Sequence, residues 1–338
     1  MATDPGVLLS ALADESTFTP TAIEQFTAMA ALGLEHYSLR FIDVGKGVKN
    51  VMLLSKSEIG KIRQLHETYG LEVASIASPI GKVKLVDADD GTKTRYVAFK
   101  SYLAKDVRRV CELAHAFETK LIRGFSFYPP RGADPLAFME EACDRLGRIA
   151  EVCDRAGLTF GLEVEPNLVG QTGDLLAEIH RRVNHPALVL VFDAANLVAQ
   201  GFSGTEVFRQ WQAMKPGLGW VHIKDYRKVS PAVKGRHVDE EGLADFVPVD
   251  RGAANHPKIL ADLRTMLPAL SKRLARRGIP GVFLDLEPHL RGGGQFGGTS
   301  GPDGMGIALR SLCGMLDKAK IGYHLRDFDD LLAARGLA

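Results

Sequence analysis

Apolar and polar residues alternate at every second position in residues 158–167, which read LTFGLEVEPN. This is the period of a β-strand, in which successive side chains point to opposite faces. The apolar side chains lie on one face, and the glutamates Glu163 and Glu165 lie on the other, near the end of the strand. A strand that ends in carboxylates just before a proline is typical of an active site at the mouth of a barrel.

Short apolar strands and longer amphipathic helices follow each other along the whole chain. The predicted strands cover residues 7–12, 36–42, 71–77, 120–127, 158–167, 187–193, 219–224 and 282–286. The predicted helices cover residues 21–32, 55–69, 94–117, 135–156, 174–183, 205–214, 259–277 and 304–319. Eight strand–helix units without a change of composition predict one α/β domain, a single (β/α)8 TIM barrel spanning residues 1–338.

Two connections in this pattern are long. Residues 226–256 form a polar loop after the seventh strand, and residues 291–304 form a glycine-rich loop after the eighth. Both leave the end of the barrel where active sites lie, so either could cover a substrate, and the first could also form a subunit contact. The glycine-rich loop has no basic residue after Arg291, so a substrate lid is favoured there over a phosphate clamp.

Four predicted strands end in a side chain that could bind a metal: Glu163, Asp193, His222 and Glu287. The first three follow each other at intervals of about 30 residues, the length of one strand–helix unit. His222 and Glu287 are separated by one such unit plus the long loop. Because the strands of a barrel end at one rim, we expect the four side chains to meet. Three carboxylates and an imidazole suit a borderline-hard divalent ion; manganese is favoured, with magnesium, cobalt and zinc as alternatives.

These segments resemble the xylose isomerase-like TIM barrels, a family of sugar isomerases, epimerases and related enzymes. The resemblance covers most of the chain and is most specific from the fifth strand onward. It rests on Leu162-Glu163-Val164, on Asp193 in FDAAN, on His222 in HIKD and on the pair Glu287-Pro288. It implies that the four candidate residues bind the metal. It also implies that Glu163 and Glu287 act as the acid and base of catalysis.

In a sugar, the carbon beside the carbonyl carries a hydroxyl group and a hydrogen. The acidity of this C–H bond increases when the carbonyl and hydroxyl oxygens both bind a metal. Two glutamates on opposite faces of the resulting enediolate could remove a proton and return it. This predicts a metal-dependent epimerase or isomerase of a sugar or keto-sugar. With a leaving group β to the carbonyl, the same step gives a lyase, either a dehydratase or an enzyme that cleaves a keto-glycoside by β-elimination. A barrel that binds a sugar or a protein partner without turnover is the third alternative.

Six further residues at the strand ends are predicted to contact the substrate. Glu165 could instead replace Glu163 as a ligand or pair with a base. Asn196 stands where related epimerases often carry histidine; an amide cannot titrate, so it is expected to bind substrate or orient a ligand. For Lys224, Asp225 and Arg40 the alternative to substrate contact is an ordinary ion pair, which is favoured for Arg40. For His289 the alternative is an ordinary histidine on the rim. The six are Glu165, Asn196, Lys224, Asp225, His289 and Arg40.

One other charged residue lies inside an apolar strand. Arg123 belongs to the predicted fourth strand, so an ion pair inside the barrel is its expected role.

Composition argues against two classes of partner. The chain has 42 basic and 41 acidic residues, a net charge of +1, so no basic surface for nucleic acid is expected. No run of about 18 apolar residues could cross a membrane, and the first residues lack the features of a signal peptide. The four cysteines have no metal-ligand spacing and are typical of a reducing compartment. We therefore expect a cytoplasmic protein with a small sugar substrate and no nucleic-acid or membrane partner, and a homo-oligomer remains open.

Overall fold

The computed structural model describes residues 6–227, 237–240, 242–292 and 298–334. Within them, eight parallel strands form one sheet: β1 Leu8–Ala11, β2 His36–Leu39, β3 Glu72–Ile80, β4 Leu121–Gly124, β5 Thr159–Glu163, β6 Leu188–Asp193, β7 Leu218–Ile223 and β8 Phe283–Leu286. Their order in the sheet is β1-β8-β7-β6-β5-β4-β3-β2. One residue pair, Leu12 and Ser38, bridges β1 and β2 and nearly closes the sheet into a barrel. The predicted (β/α)8 TIM barrel is confirmed.

Helices lie between the strands and surround the sheet. The α-helices are Ala22–Ala31, Lys56–Tyr69, Phe99–Tyr102, Arg108–Ala116, Met139–Arg155, Gly173–Val183, Ala194–Ala199, Gly204–Met214, His256–Ala275, Gly301–Ala319 and Phe328–Ala334. Short 3-10 helices cover Ala13–Ser16, Val51–Leu53, Pro135–Phe138 and Lys215–Gly217, and a π-helical turn covers Leu103–Val107. No helix in these described ranges is both long and apolar enough to cross a membrane.

The interior of the barrel changes from apolar to polar along β5, and this change places the site at the rim. A Cβ atom at Gly161 would lie 2.3 Å from the ring of Trp220 on β7, so glycine leaves the space that this buried ring fills. Glu163 follows two residues later on the same face of the strand. The tryptophan therefore forms an apolar layer beneath the carboxylates.

The prediction of one continuous strand over residues 36–42 is wrong. The chain leaves the barrel at Arg40, and Phe41–Asp43 pairs instead with Val48–Asn50 in an antiparallel hairpin. Gly45 and Gly47 make the connecting turn with positive φ angles of 91° and 84°. The break at Arg40 separates the barrel strand from a hairpin at its end.

Other predicted elements also differ from the structure. The predicted strand over 158–167 ends at Glu163, because Pro166 cannot donate to the sheet and Asn167 adopts a positive φ of 64°. The helix predicted from residue 94 begins at Phe99. The loop at 226–256 contains a short antiparallel pair, Asp225–Tyr226 with Phe246–Val247. Residues 228–236 and 241 of that loop, and 293–297 of the glycine-rich loop, lie outside the described residues.

Candidate metal and active site

Four neighbouring strand ends bring the predicted metal ligands together: Glu163, Asp193, His222 and Glu287. All four are buried, and one ligand atom from each lies within 4.8 Å of the corresponding atoms of the others. Opposite ligands of an ion with bonds of about 2.1 Å are about 4.2 Å apart, so the spacing and the donor chemistry fit one divalent ion. The structure thus contains a buried group that could bind a divalent metal. We call these four residues the quartet.

The strands fix the positions of the quartet side chains. Asp193 is the last residue of β6 and lies beside His222 of β7 in the sheet register. The Asp193 carboxylate also begins the helix Ala194–Ala199 by accepting a hydrogen bond from the backbone amide of Asn196 at 3.1 Å. Glu287 follows the last residue of β8 directly. Each ligand is therefore carried by a strand or by the residue next to one.

Three buried cations, Arg123, Arg40 and Lys224, neutralise the quartet carboxylates. Arg123 lies 3.0 Å from Glu163, which confirms the predicted ion pair inside the barrel. Arg40 donates to Glu287 at 2.9 Å and also contacts Asp14 and Glu15. These contacts agree with the favoured interpretation of Arg40 as an ion-pair residue, and the ion pairs are buried.

Lys224 lies deeper in the site than its predicted role as a substrate contact implies. Its Nζ is 2.9 Å from the Asp193 carboxylate and 3.2 Å from that of Glu287, and its side chain is buried. The ammonium group thus contacts two candidate metal ligands. It reduces their mutual repulsion.

The charges of the quartet follow from this environment. Burial would raise the pKa of Glu163, but His222 and Arg123 outweigh burial and bring that pKa to about 2. Burial would also raise the pKa of Glu287, yet Lys224 and His222 hold it well below its usual range. Burial would lower the pKa of His222, but Glu163 and Glu287 raise it to about 10. Both glutamates are therefore ionised at neutral pH, and a metal at His222 would have to replace a proton.

Asp193 behaves differently from the two glutamates. Burial raises the pKa of its carboxyl group, and Lys224 offsets this only in part, so that the pKa is about 6. The negative charges of Glu163 and Glu287 act in the same direction as burial. A divalent cation would relieve this repulsion.

A small cavity of about 90 Å³ opens above the quartet. Three of the six predicted substrate contacts line it: Arg40, Glu165 and Lys224. Phe125 also lines it, beneath the Lys82 ammonium group, which lies 4.3 Å from the centre of the ring. The cavity is thus bounded mainly by charged groups, which suits a polar substrate.

Glu165 lines the cavity above the quartet and belongs to a second pair of acids. Its carboxylate accepts a hydrogen bond from Lys82 at 2.5 Å. Burial raises its pKa, against the effect of Lys82. Burial and the neighbouring Glu165 also raise the pKa of Glu240 to about 8.

The other three predicted substrate contacts lie behind or beside the site. Asn196 donates to Glu163 at 3.3 Å and to the Val164 carbonyl at 3.0 Å, the geometry expected if it orients a ligand. Asp225 accepts hydrogen bonds from backbone amides of the following loop, including that of Tyr226 at 2.7 Å. Substrate contact by any of the three stays a prediction.

The third of these residues, His289, adopts a positive φ of 51° after β8. Its Nδ1 atom lies 2.9 Å from Glu15, a residue that the sequence interpretation did not include in the site. A Cβ atom at Gly298 would lie 1.6 Å from the same ring, so this glycine of the glycine-rich loop allows the loop to pass over His289.

Asp285 is another residue that the sequence interpretation missed. It lies two positions before Glu287 on the same face of β8, and it accepts hydrogen bonds from Ser10 at 2.9 Å and from Ser38. One of its oxygens is 3.8 Å from Nε2 of His222. The sequence contains a signal for Asp285, because it is a carboxylate inside an apolar strand, two positions before the predicted ligand Glu287.

Comparison with known proteins supports the fold. A family model described as xylose isomerase-like TIM barrel matches residues 26–289. A xylose isomerase-like TIM barrel protein from Mycobacterium smegmatis, solved in complex with magnesium, is 19% identical with a TM-score of 0.62, and the match covers 94% of this chain and 97% of the other. None of the curated proteins matches the chain in sequence.

Two further solved structures represent different reactions. The D-allulose 3-epimerase from Methylomonas sp., in complex with D-allulose, is 14% identical with a TM-score of 0.59, covering 93% of this chain and 99% of the other. The probable 3-DHS dehydratase AsbF from Bacillus anthracis is 17% identical with a TM-score of 0.59, covering 91% and 98%. At these identities the likeness shows the fold alone. The family model spans most of the barrel, and the chain therefore belongs to the xylose isomerase-like TIM barrel family of sugar isomerases, epimerases and related enzymes.

Proposed function

We propose that this protein is a divalent-metal-dependent epimerase or isomerase of a sugar or keto-sugar, with manganese as its ion. The observation that carries the proposal is the position of the two quartet glutamates. Nδ1 of His222 lies 3.4 Å from Glu163 and 3.2 Å from Glu287, so both carboxylates converge on one buried point from β5 and β8. A pure binding site has little need for two ionised glutamates at such a point.

The two glutamates would move the proton of the substrate. The ion, when bound, supplies a Lewis acid that makes the C–H bond beside a carbonyl more acidic. One carboxylate takes this proton and the other returns it, either to the same carbon for epimerisation or to the next carbon for isomerisation. Arg123 holds Glu163 in place, and Arg40 and Lys224 hold Glu287, so both bases keep a fixed direction. Burial of the quartet excludes competing water.

The experiment that tests this function is deuterium exchange in heavy water. We expect the Mn²⁺-loaded protein to introduce deuterium beside the carbonyl of at least one member of a keto-sugar panel and to release its epimer or isomer, measured by NMR. The same protein treated with a chelator is the control. Exchange accompanied by loss of water or an aglycone would instead identify the lyase, and metal-loaded protein that exchanges none of the panel would favour the non-catalytic barrel.

Replacement of Asp285 by asparagine is expected to weaken Mn²⁺ binding about 10- to 100-fold. Nδ1 of His222 faces the quartet glutamates, so the opposite atom, Nε2, is the one directed at Asp285. A carboxylate there favours the tautomer and the ring orientation that a metal requires. Calorimetric titration with Mn²⁺ measures the effect.

Ser10→Ala is the matched control, because it removes one hydrogen bond to Asp285 and keeps the charge. Its Mn²⁺ affinity should change less than that of Asp285→Asn. Equal Mn²⁺ affinity in Asp285→Asn and the unchanged protein would show that Asp285 serves only the core.

A further inference from the structure

A second cavity lies beside the candidate site, and the proposed proton transfer uses none of its residues. Its volume is about 620 Å³, against about 90 Å³ above the quartet. Protein cavities that bind small molecules enclose about 300–1,000 Å³. Of these two cavities, the larger one alone falls in that range.

The same loops line both cavities. After β4, Phe125 lines the small cavity and Tyr128 lines the large one. After β5, Glu165 lines the small cavity and Asn167 lines the large one. Two or three residues of chain span at most about 7–11 Å. On these two loops, the residues that line one cavity are therefore within about 11 Å of the residues that line the other.

The boundary between the cavities is built by protein contacts. Glu165 lines the small cavity, accepts a hydrogen bond from Lys82 and interacts with Glu240, which lines the large cavity. Asn167 donates to Glu240 at 2.5 Å, donates to the Val238 carbonyl at 2.9 Å and accepts from the Val238 amide at 3.0 Å. These bonds fix the wall that residues 237–240 contribute to the larger cavity.

The charge of the larger cavity disfavours an anionic ligand. Four acidic side chains and a single arginine, Arg131, line its described walls. A phosphate or carboxylate would meet the carboxylates of Asp134 and Asp239, whereas Lys84 neutralises Asp90 at 2.6 Å and the pKa of Glu240 is raised to about 8. The four acidic residues are Asp90, Asp134, Asp239 and Glu240.

Its other groups suit a sugar. The amides of Asn167 and Gln171 and the carboxylates can accept hydrogen bonds from hydroxyl groups. Tyr128, Pro129 and Pro130 add apolar surface against which the C–H faces of a sugar ring can pack. This mixture fits a neutral, hydroxyl-rich ligand.

We propose that the larger cavity is a second subsite of the active site and binds the second, uncharged sugar unit of a glycosidic substrate whose first unit lies on the quartet. The position of the first unit rests on the proposed function. The inference narrows the substrate class from free sugars to disaccharides and sugar glycosides.

The test compares binding of disaccharides and a monosaccharide to the metal-loaded protein. The probes are cellobiose, maltose and trehalose, with glucose as the reference, measured by calorimetry. We expect at least one disaccharide to bind ten-fold or more tightly than glucose. Ala133→Trp, which places a large side chain in the wall of the larger cavity, should reduce that affinity at least ten-fold and leave glucose binding unchanged.

Ala137→Trp is the matched control, because Ala137 is exposed on the neighbouring helix Pro135–Phe138 and does not line the cavity. Its disaccharide affinity should equal that of the unchanged protein. Thr94→Phe narrows the cavity from another loop and replaces Ala133→Trp should that variant fail to fold. The proposal is overturned when no disaccharide binds more tightly than glucose, or when both tryptophan variants lose the same affinity.

Deuterium exchange separates this proposal from the proposed function. Binding of a disaccharide in the larger cavity without any deuterium exchange would support the subsite and contradict the proposed epimerase or isomerase function. The opposite result would be equal deuterium exchange into keto-sugars with and without Ala133→Trp, and no preference for a disaccharide. It would support the proposed reaction and contradict the subsite.

Discussion

Replacement of Glu287 by glutamine is expected to lower turnover by about 10²- to 10⁴-fold, the range that a positioned acid or base contributes. Glutamine cannot take a proton from carbon, and it is a weaker metal ligand than a carboxylate. The fold should persist, because the cations around Glu287 keep other partners. Arg40 still contacts Asp14 and Glu15, and Lys224 still contacts Asp193.

The measurement is the rate of deuterium exchange, with circular dichroism and thermal unfolding as tests of the fold. Glu140→Gln makes the same chemical change on an exposed helix and should exchange at the rate of the unchanged protein. A folded Glu287→Gln protein with unchanged exchange would remove Glu287 from the mechanism.

The double variant Asp193→Ala/His222→Ala is expected to lose its bound metal. Two of the four donors disappear, including the only imidazole of the quartet. The remaining glutamates stay neutralised by Arg123 and Arg40, so less uncompensated negative charge is left to attract a cation. Loss of the Asp193 side chain also removes the first hydrogen bond of the helix Ala194–Ala199, which costs about 1 kcal/mol of unfolding free energy.

Metal content by mass spectrometry, before and after loading with Mn²⁺, measures this effect. The unchanged protein should hold close to one ion per chain, and the double variant should hold almost none. Asp144→Ala/His115→Ala removes an aspartate and a histidine from exposed helix positions and should keep the full metal content. An unchanged protein that is isolated without metal and takes up no Mn²⁺ would refute the metal-dependent mechanism.

The barrel could be predicted from sequence because its signals are local. Period-two apolar segments and helical segments repeat about every 30 residues, and this repeat places every strand end on one rim. Glu163, Asp193, His222 and Glu287 were found by this reasoning, since each follows an apolar strand. The hairpin Phe41–Asp43 with Val48–Asn50 was missed, because the apolar pattern continues through Arg40 while the chain turns away.

The partners of the quartet could not be predicted in the same way. Arg40 and Glu287 are 247 positions apart, and Ser10 and Asp285 are 275 positions apart. Closure of the barrel brings such pairs together, and no local pattern records it. Lys224 shows the limit clearly: its strand end indicated a functional position, yet its contact with Asp193 depends on the register of β6 and β7.

The sequence by itself determined the fold class, the four candidate ligands and the rim where they meet, because strand period and repeat length are properties of consecutive residues. The tertiary structure alone decided which charges neutralise the ligands and that Asp285 lies behind His222. It also decided that a cavity of about 620 Å³ lies next to one of about 90 Å³. These features depend on distances between loops that are remote in the chain, and such distances are fixed only when the barrel closes.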